Sequence, residues 1–283
     1  MMLQGKTGDW GEGEVEEWLK KKKSDTERKN DKEWEKRYPG LYDNGVSYHY
    51  DLVRIHDELK YMDKIAGSKA HVYGEITPGS VDRIMAKVQL NSKDIFYDLG
   101  SGVGKVVIQI GLESPVKKSI GLELSHTRYE RAREALSRLK YHPTKHFSKK
   151  DLAKVDFREE DFGLGDWKDA TVVYMCNTCY PVELIAKVVF HLRLCPNIRY
   201  VLAYEVWNKW GKVTSMLEDA GFTLVDRFRV RTSWDAPFLL VFRPTASRKE
   251  ATRRGKAASA ELYLEGEDEE KDGQSKPAPS QRK

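Results

Sequence analysis

Residues 96–107 read FYDLGSGVGKVV: an apolar run closing on an aspartate, glycine at positions 100, 102 and 104, then an apolar run again. A strand that turns through a bare glycine loop into a helix is the first βα unit of an open parallel sheet. Ligands of such sheets bind outside the carboxyl ends of the strands, where the strand order reverses. Nicotinamide and flavin proteins use a related loop, G-x-G-x-x-G, to bring a helix N-terminus against a pyrophosphate. The pattern here is D-x-G-x-G-x-G, with Asp98 at the strand end. A carboxylate in that place repels phosphate but accepts a hydrogen bond from an ammonium group. S-adenosylmethionine has an α-amino group and no phosphate, so these residues favour it as cofactor, with S-adenosyl-L-homocysteine as product.

The rest of the chain supplies the sheet that such a loop requires. DIFYDLG, SIGLEL, AKVDFREEDF, ATVVYMCN and IRYVLAYE are strand candidates separated by helical patterns, and GFTLVDRFRVRTSW with PFLLVFRP reads as an antiparallel pair at the sheet edge. The continuous apolar run of ATVVYMCN predicts a strand buried on both faces. Ser125 predicts a helix cap, and helices are expected over 182–194 and 210–220. Alternation of this kind predicts an α/β, doubly wound, mostly parallel seven-stranded sheet, the class I S-adenosylmethionine-dependent methyltransferase fold, with an N-terminal helical extension. The expected organisation is a charged extension over 1–40, a helical region with a loop over the cofactor over 41–90, the methyltransferase core over 91–244 and a disordered charged tail over 245–283.

Composition excludes some alternatives. No run approaches the length of a bilayer-crossing helix, and the first residues do not read as a secretory leader, so no membrane partner is expected. The three cysteines in 283 residues favour a reducing compartment over a disulfide scaffold. Cys176 and Cys179 form a lone CxxC with no second ligand pair, so no metal site is expected. The net charge of +5 is uneven, with basic clusters at 20–23, 27–37 and 247–256. Clusters at both ends of one chain suggest a polyanionic partner.

Further candidates follow along the strands. Glu123, ending the second strand, suits two ribose hydroxyls. Asp161 and Phe162, after the third, can accept from an exocyclic amine and stack on adenine. Asn177 ends the fourth strand, where its carbonyl could accept from an incoming amine and aim the lone pair at the methyl; alternatively it caps the helix over 182–194. Tyr180 is expected beside the sulfonium or the amine. An N-methyl transfer is favoured.

VYGE at 72–75, the glycine loop, GLE at 121–123, DF at 161–162, Asn177 and SW at 233–234 together resemble the motif series of the Dot-type (disruptor of telomeric silencing) histone lysine methyltransferases, in a compact, protist-type form. The resemblance covers roughly residues 50–244. It implies a cofactor site drawn from Val72, Tyr73, Glu75 and Thr77, from Asp98, Gly100, Gly102, Gly104 and Lys105, and from Glu123, Asp161, Phe162 and Asn177. It also implies that Asn177, Tyr180, Trp234 and Tyr73 line the reaction centre. The implied substrate is a lysine in the globular core of histone H3 on an intact nucleosome, with DNA held by the terminal basic clusters and the protein in the nucleus.

Two departures bear on the site. Lys105 stands where the family commonly has glutamine, and either contacts the cofactor's carboxylate or points outward. NTCYP replaces the NNFAFG of the animal enzymes. Gly74 makes the VYGE loop a candidate lid, or else a tight loop that never opens. Two rivals stay open: a methyltransferase acting on RNA or a non-histone protein, and a non-catalytic nucleic-acid-binding module on the same fold.

Overall fold

A computed structural model describes residues 25–42, 55–67, 69, 72–141, 147–206, 210–248 and 250. The first basic cluster, residues 20–23, lies outside them, as do the rest of the extension before residue 25 and the chain beyond residue 250.

Each expected strand forms. β1 (Ile95–Leu99), β2 (Lys118–Glu123), β3 (Val155–Glu159), β4 (Val172–Met175), β5 (Tyr200–Tyr204), β6 (Phe222–Arg229) and β7 (Phe238–Pro244) make one seven-stranded sheet in the order β3-β2-β1-β4-β5-β7-β6. All neighbours are parallel except β7, which runs antiparallel to both β5 and β6. The order reverses between β1 and β4, and that crevice receives the glycine loop. β4 is buried at all four residues, as its unbroken apolar run requires.

Helices cover both faces. One carries α3 (Pro78–Val88), α4 (Lys105–Glu113) and α5 (His126–Tyr141); the other carries α7 (Val182–Leu194) and α8 (Trp210–Asp219). Local chemistry sets several helix starts. Thr77 Oγ1 accepts from Ser80 N to cap α3, and Ser125 Oγ accepts from Arg128 N at the start of α5. α6 (Lys149–Leu152), not anticipated from the sequence, begins with a reciprocal Ser148–Asp151 capping box. α2 (Ile55–Ala66) reaches α5 through Glu58, whose carboxylate accepts from Thr127 N at 3.1 Å and Thr127 Oγ1 at 2.6 Å.

Both charged flanks enter the fold further than expected. α1 (Asp25–Arg37) falls in the extension assigned to residues 1–40, yet Trp34 is 1% exposed and Tyr38 3%. With Leu41 and Tyr42 they join the core on the α3–α4 face, and Trp34 Nε1 donates to the Ile76 carbonyl at 3.0 Å. Trp34 in the last turn of α1 and Tyr38, Leu41 and Tyr42 in the turn that follows it form an apolar patch hidden among charges. Arg37, counted in the basic cluster 27–37, pairs with Asp82 and Glu113. At the other end Arg248 lies over Phe222 and donates to the carbonyls of Ala220 and Leu192, so this member of the 247–256 run is docked on the core. Trp34→Ala is expected to cost about 3–5 kcal/mol in denaturant unfolding; a loss below 1 kcal/mol on that scale would mean that α1 packs only peripherally.

Candidate active site

The three glycines of the loop all take positive φ, +80° at Gly100, +56° at Gly102 and +82° at Gly104. A Cβ at Gly102 would strike the Tyr73 ring, and one at Gly100 would strike the Tyr180 hydroxyl. The bare Cα positions are therefore demanded by left-handed backbone and by neighbouring side chains. The loop's N–H groups are engaged within the protein. Gly100 and Ser101 donate to the Leu122 carbonyl, Gly102 to Glu123 Oε2 at 2.6 Å and Gly104 to the Ser101 carbonyl. The N–H groups of Gly100, Ser101 and Gly102 thus tie the turn after β1 to the end of β2, and the polar groups left beside the turn are carboxylates.

Asp98 is the central one. Its side chain is 2% exposed and its Oδ1 has no hydrogen-bond partner. Among the described residues no cation pairs with it. Burial first, and the neighbouring Glu123 second, push its carboxyl well above the usual range. Glu123, also buried, takes one backbone N–H on each oxygen, from Gly102 and from Ser125. A carboxylate has about four lone-pair sites, which leaves room for two hydroxyl donors. Two buried carboxylates side by side with an orphaned oxygen are costly unless a cation joins them. An ammonium group would donate to the unpartnered Asp98 oxygen and offset the two carboxylates, whereas a phosphate would be repelled by them.

Behind Asp98 the ends of β4 and β5 supply a polar wall that the sequence did not single out. The Tyr174 and Tyr204 hydroxyls lie 3.0 Å apart. Burial pushes both phenols up, and raises the Cys176 thiol to about 12. All three stay protonated at neutral pH and can donate. YVLAYE placed Tyr204 at a strand end, but its meeting with Tyr174 depends on the sheet order.

Asn177 is fully buried and fully engaged. Its Oδ1 accepts from Tyr204 N at 2.6 Å and its Nδ2 donates to Tyr204 O at 3.1 Å. The side chain thus extends the β4–β5 pairing by one rung. It does not cap α7, whose N-cap residue is Pro181 and which has no side-chain cap. Asn177→Ala is expected to leave the Tyr204 N–H and carbonyl without these partners, at a cost of about 1–3 kcal/mol. A thermal melt unchanged from wild type would show that water replaces the amide.

Tyr180 packs its ring 5.4 Å from Phe162 and donates to the Leu99 carbonyl, closing over Gly100. Asp161 accepts from Gly163 N at 2.8 Å in its own turn, and buried Phe162 receives Trp167 Nε1 on its carbonyl. Glu123, Phe162 and Tyr180 thus gather around the glycine loop.

The VYGE loop approaches from the far side. Ser233 N donates to the Glu75 carbonyl, Glu75 N to Ser233 Oγ, and Thr77 N to the Arg231 carbonyl. Gly74 lies against the Trp234 ring, which a Cβ would strike, and Trp234 in turn sits 6.1 Å from the Tyr204 ring. The glycine serves close approach, and the loop is pinned on both sides; of the two alternatives, the tight loop is the one these contacts favour over a lid. Tyr73 donates to Glu75 Oε1 at 2.8 Å and carries Arg128 over its ring at 4.9 Å. Val72 is exposed, and the Thr77 hydroxyl serves the cap of α3 while donating to Ser80 Oγ.

Lys105 takes neither of the two expected directions. It is 5% exposed, donates to Glu75 Oε2 at 2.6 Å and stands over Tyr42 and Trp34. Asn30 Nδ2 donates to the same Glu75 oxygen at 3.2 Å. The lysine therefore binds the VYGE loop to α1 and α4 rather than facing a cofactor's carboxylate or solvent. No group of metal-ligating side chains occurs among the described residues, and no helix there is long and apolar enough to cross a membrane.

Comparison with known proteins gives a consistent picture. A family model described as "Histone methylation protein DOT1" matches residues 53–202. The "Histone-lysine N-methyltransferase, H3 lysine-79 specific" of Kluyveromyces lactis is 36% identical over 110 residues, 39% of this chain and 18% of that protein. Its namesake in Caenorhabditis elegans is 28% identical over 122 residues, 42% and 13% respectively. That of Cryptococcus neoformans is 25% identical over 182 residues, 61% and 28%. The chain spans less than a third of the length of these relatives. Among solved structures, magnesium protoporphyrin IX methyltransferase from Synechocystis PCC 6803 with bound SAM overlaps 78% of this chain and 98% of that one. The TM-score is 0.47 at 14% identity, too loose a likeness to bear on function.

Proposed function

Because the chain belongs to the DOT1 family of histone methylation proteins, we propose that it is an S-adenosylmethionine-dependent histone-lysine N-methyltransferase, acting on a core lysine of nucleosomal histone H3. The observation that carries the cofactor assignment is the buried, unpartnered Asp98 oxygen beside Glu123 at the turn of β1, and the histone acceptor is supported by the family match. A nucleosomal substrate puts the protein in the nucleus.

Asp98 would hold the cofactor's ammonium, Glu123 its ribose hydroxyls, and Asp161 with Phe162 its adenine. When bound, the cofactor supplies a methyl group on a sulfonium centre, activated for in-line attack by an amine. The chain's own contribution is to deliver that amine unprotonated and aligned. A free lysine has a pKa near 10.4, and holding it neutral at working pH costs roughly 4–5 kcal/mol. A dry channel beside a cation lowers that pKa by desolvation and like-charge repulsion together, so no strong general base is needed. Tyr73, Tyr180 and Trp234 are the aromatic groups available to wall such a channel. Asn177, engaged with Tyr204, acts as a positioning residue that fixes the β4 and β5 ends.

Mass spectrometry of reconstituted nucleosomes incubated with the protein and S-adenosylmethionine tests this. Methylation of an H3 core lysine is expected, with weaker transfer to free H3 and none to RNA. Methylated RNA with unmodified histones would contradict it.

A further inference from the structure

The terminal basic clusters were the expected hold on a polyanion, yet Arg37 and Arg248 are engaged in the fold. A second set of cations stands at the mouth of the site. β6 runs parallel to β5, so its last residues lie at the carboxyl end of the sheet with the glycine loop. Arg227, Arg229 and Arg231 alternate there, all exposed, and the chain continues directly into Ser233 and Trp234 against the VYGE loop. Arg83, exposed on α3, donates to the Arg229 carbonyl at 3.1 Å and lies over the Phe228 ring. Arg227 and Arg229 lie over Phe238 at 3.7 and 4.5 Å, on the opposite face of β6 from Phe228 and Arg83, so the guanidinium groups flank the exposed edge of the sheet from both sides.

α1 extends this surface. Arg231 pairs with Glu33 at 3.3 Å. Lys29 and Lys36, four residues before and three after Glu33, are exposed on the same helix face. Carboxylates answer only part of the charge: Glu33 pairs with Arg231 and Glu205 with Arg227 at 2.7 Å, while Asp235 on the same rim accepts from Ala236 N. Among the described residues no carboxylate forms an ion pair with Arg83 or Arg229. Asp226 pairs with Lys87 at 2.8 Å, and Arg83 adds to the positive field that, after the Lys87 hydrogen bond, holds the Asp226 carboxyl below the usual range. Arg83 donates to one carbonyl, and Arg229 donates to that of Ala236. Fixed by aromatic rings and backbone, these two guanidinium groups are already ordered, so little rotamer freedom is lost when they bind phosphate.

We infer that Arg83 and Arg229, flanked by Arg231 and the Lys29–Lys36 face of α1, form a surface at the mouth of the active site that grips the phosphates of duplex DNA. The inference rests on the nucleosomal reading of the function and gives that substrate its second point of attachment. Spacing arginines with aromatic rings suits a sugar–phosphate backbone, whose charges repeat regularly and carry no sequence information in themselves.

The test is fluorescence anisotropy of a short labelled duplex with the full chain across a salt series. The variants are R83A/R229A, R83K/R229K and, at the opposite end of the sheet, R243A. The wild type is expected to show a linear fall of log affinity with log salt, and R83A/R229A a slope shallower by about two. The lysine pair should keep the wild-type slope, and so should R243A. The thermal shift given by S-adenosylmethionine should be the same in all four proteins, which confirms folding and separates this surface from the cofactor site. An unchanged slope in R83A/R229A overturns the inference. So does a variant that binds free duplex normally but loses nucleosomes, which would assign the surface to an acidic protein face. The expected slopes in a protein that methylates no histone would leave the surface standing and remove the nucleosomal reading.

Discussion

Asp98→Asn is expected to raise the melting temperature of the ligand-free protein and to abolish the further rise that S-adenosylmethionine gives the wild type. The reason is one buried carboxylate with an unpartnered oxygen beside Glu123. Its folded pKa lies above the unfolded value, so its ionisation opposes folding. The stability it contributes is complete below the unfolded carboxylate pKa and is lost as pH rises through the folded one. The amide variant carries no charge at any pH. Its advantage, about 1–3 kcal/mol at neutral pH, should therefore vanish in acid, where the wild-type carboxyl is also neutral. Cofactor binding runs the other way. An ammonium group binds the ionised form, so wild-type affinity should rise with pH through the Asp98 titration, while Asp98→Asn has nothing to titrate. At a cofactor concentration of 100 times Kd, the wild type should gain about 2.7 kcal/mol. A variant that loses stability at neutral pH, or that keeps its cofactor shift, would remove Asp98 from its assigned role. Sites that hold unpaired charge for a ligand carry this conflict between stability and function.

Lys105→Met should destabilise the protein by about 3–5 kcal/mol, because it leaves the largely buried Glu75 carboxylate without its cation. Glu75→Gln should cost less, because Asp31 stands 4.0 Å from the Lys105 ammonium. Lys105 is 5% and Glu75 10% exposed, and their polar atoms are 2.6 Å apart. The double variant should recover much of the loss, since replacing both partners avoids a stranded charge. The cycle separates this from ordinary surface pairing, whose coupling is below about 1 kcal/mol. Function should respond as well. Glu75 accepts from Tyr73, Lys105 and Asn30, and Trp34 holds the next carbonyl, so α1 and α4 together fix the loop opposite the glycine turn. Lys105→Met is expected to weaken cofactor affinity as well as stability, through loosening of Tyr73. Additive losses in the double variant would show that the two side chains act independently.

The sheet was legible because alternating strands and helices leave few topologies open, and because Asp98 and the glycines mark the turn where the strand order reverses. What escaped the sequence were meetings between distant segments. The direction of Lys105 depends on Glu75, thirty residues earlier, and on α1. Gly74 reads as a hinge until Trp234, brought by the loop before β7, is found against it. Asn177 looked like an acceptor for substrate, and only the pairing of β4 with β5 reveals Tyr204 as its partner. Charge hid α1: Trp34 and Tyr38 lie among lysines and glutamates that read as solvated extension. The carboxylates of the site were easier, since acids at the ends of adjacent parallel strands converge wherever the register falls.

A crystal structure with S-adenosylmethionine or S-adenosyl-L-homocysteine bound is the most direct measurement. The amino group is expected within hydrogen-bond distance of Asp98, the ribose hydroxyls on Glu123 and the adenine beside Phe162. Density for a pyrophosphate against the glycine loop, or an empty pocket at saturating cofactor, would contradict the assignment of this site.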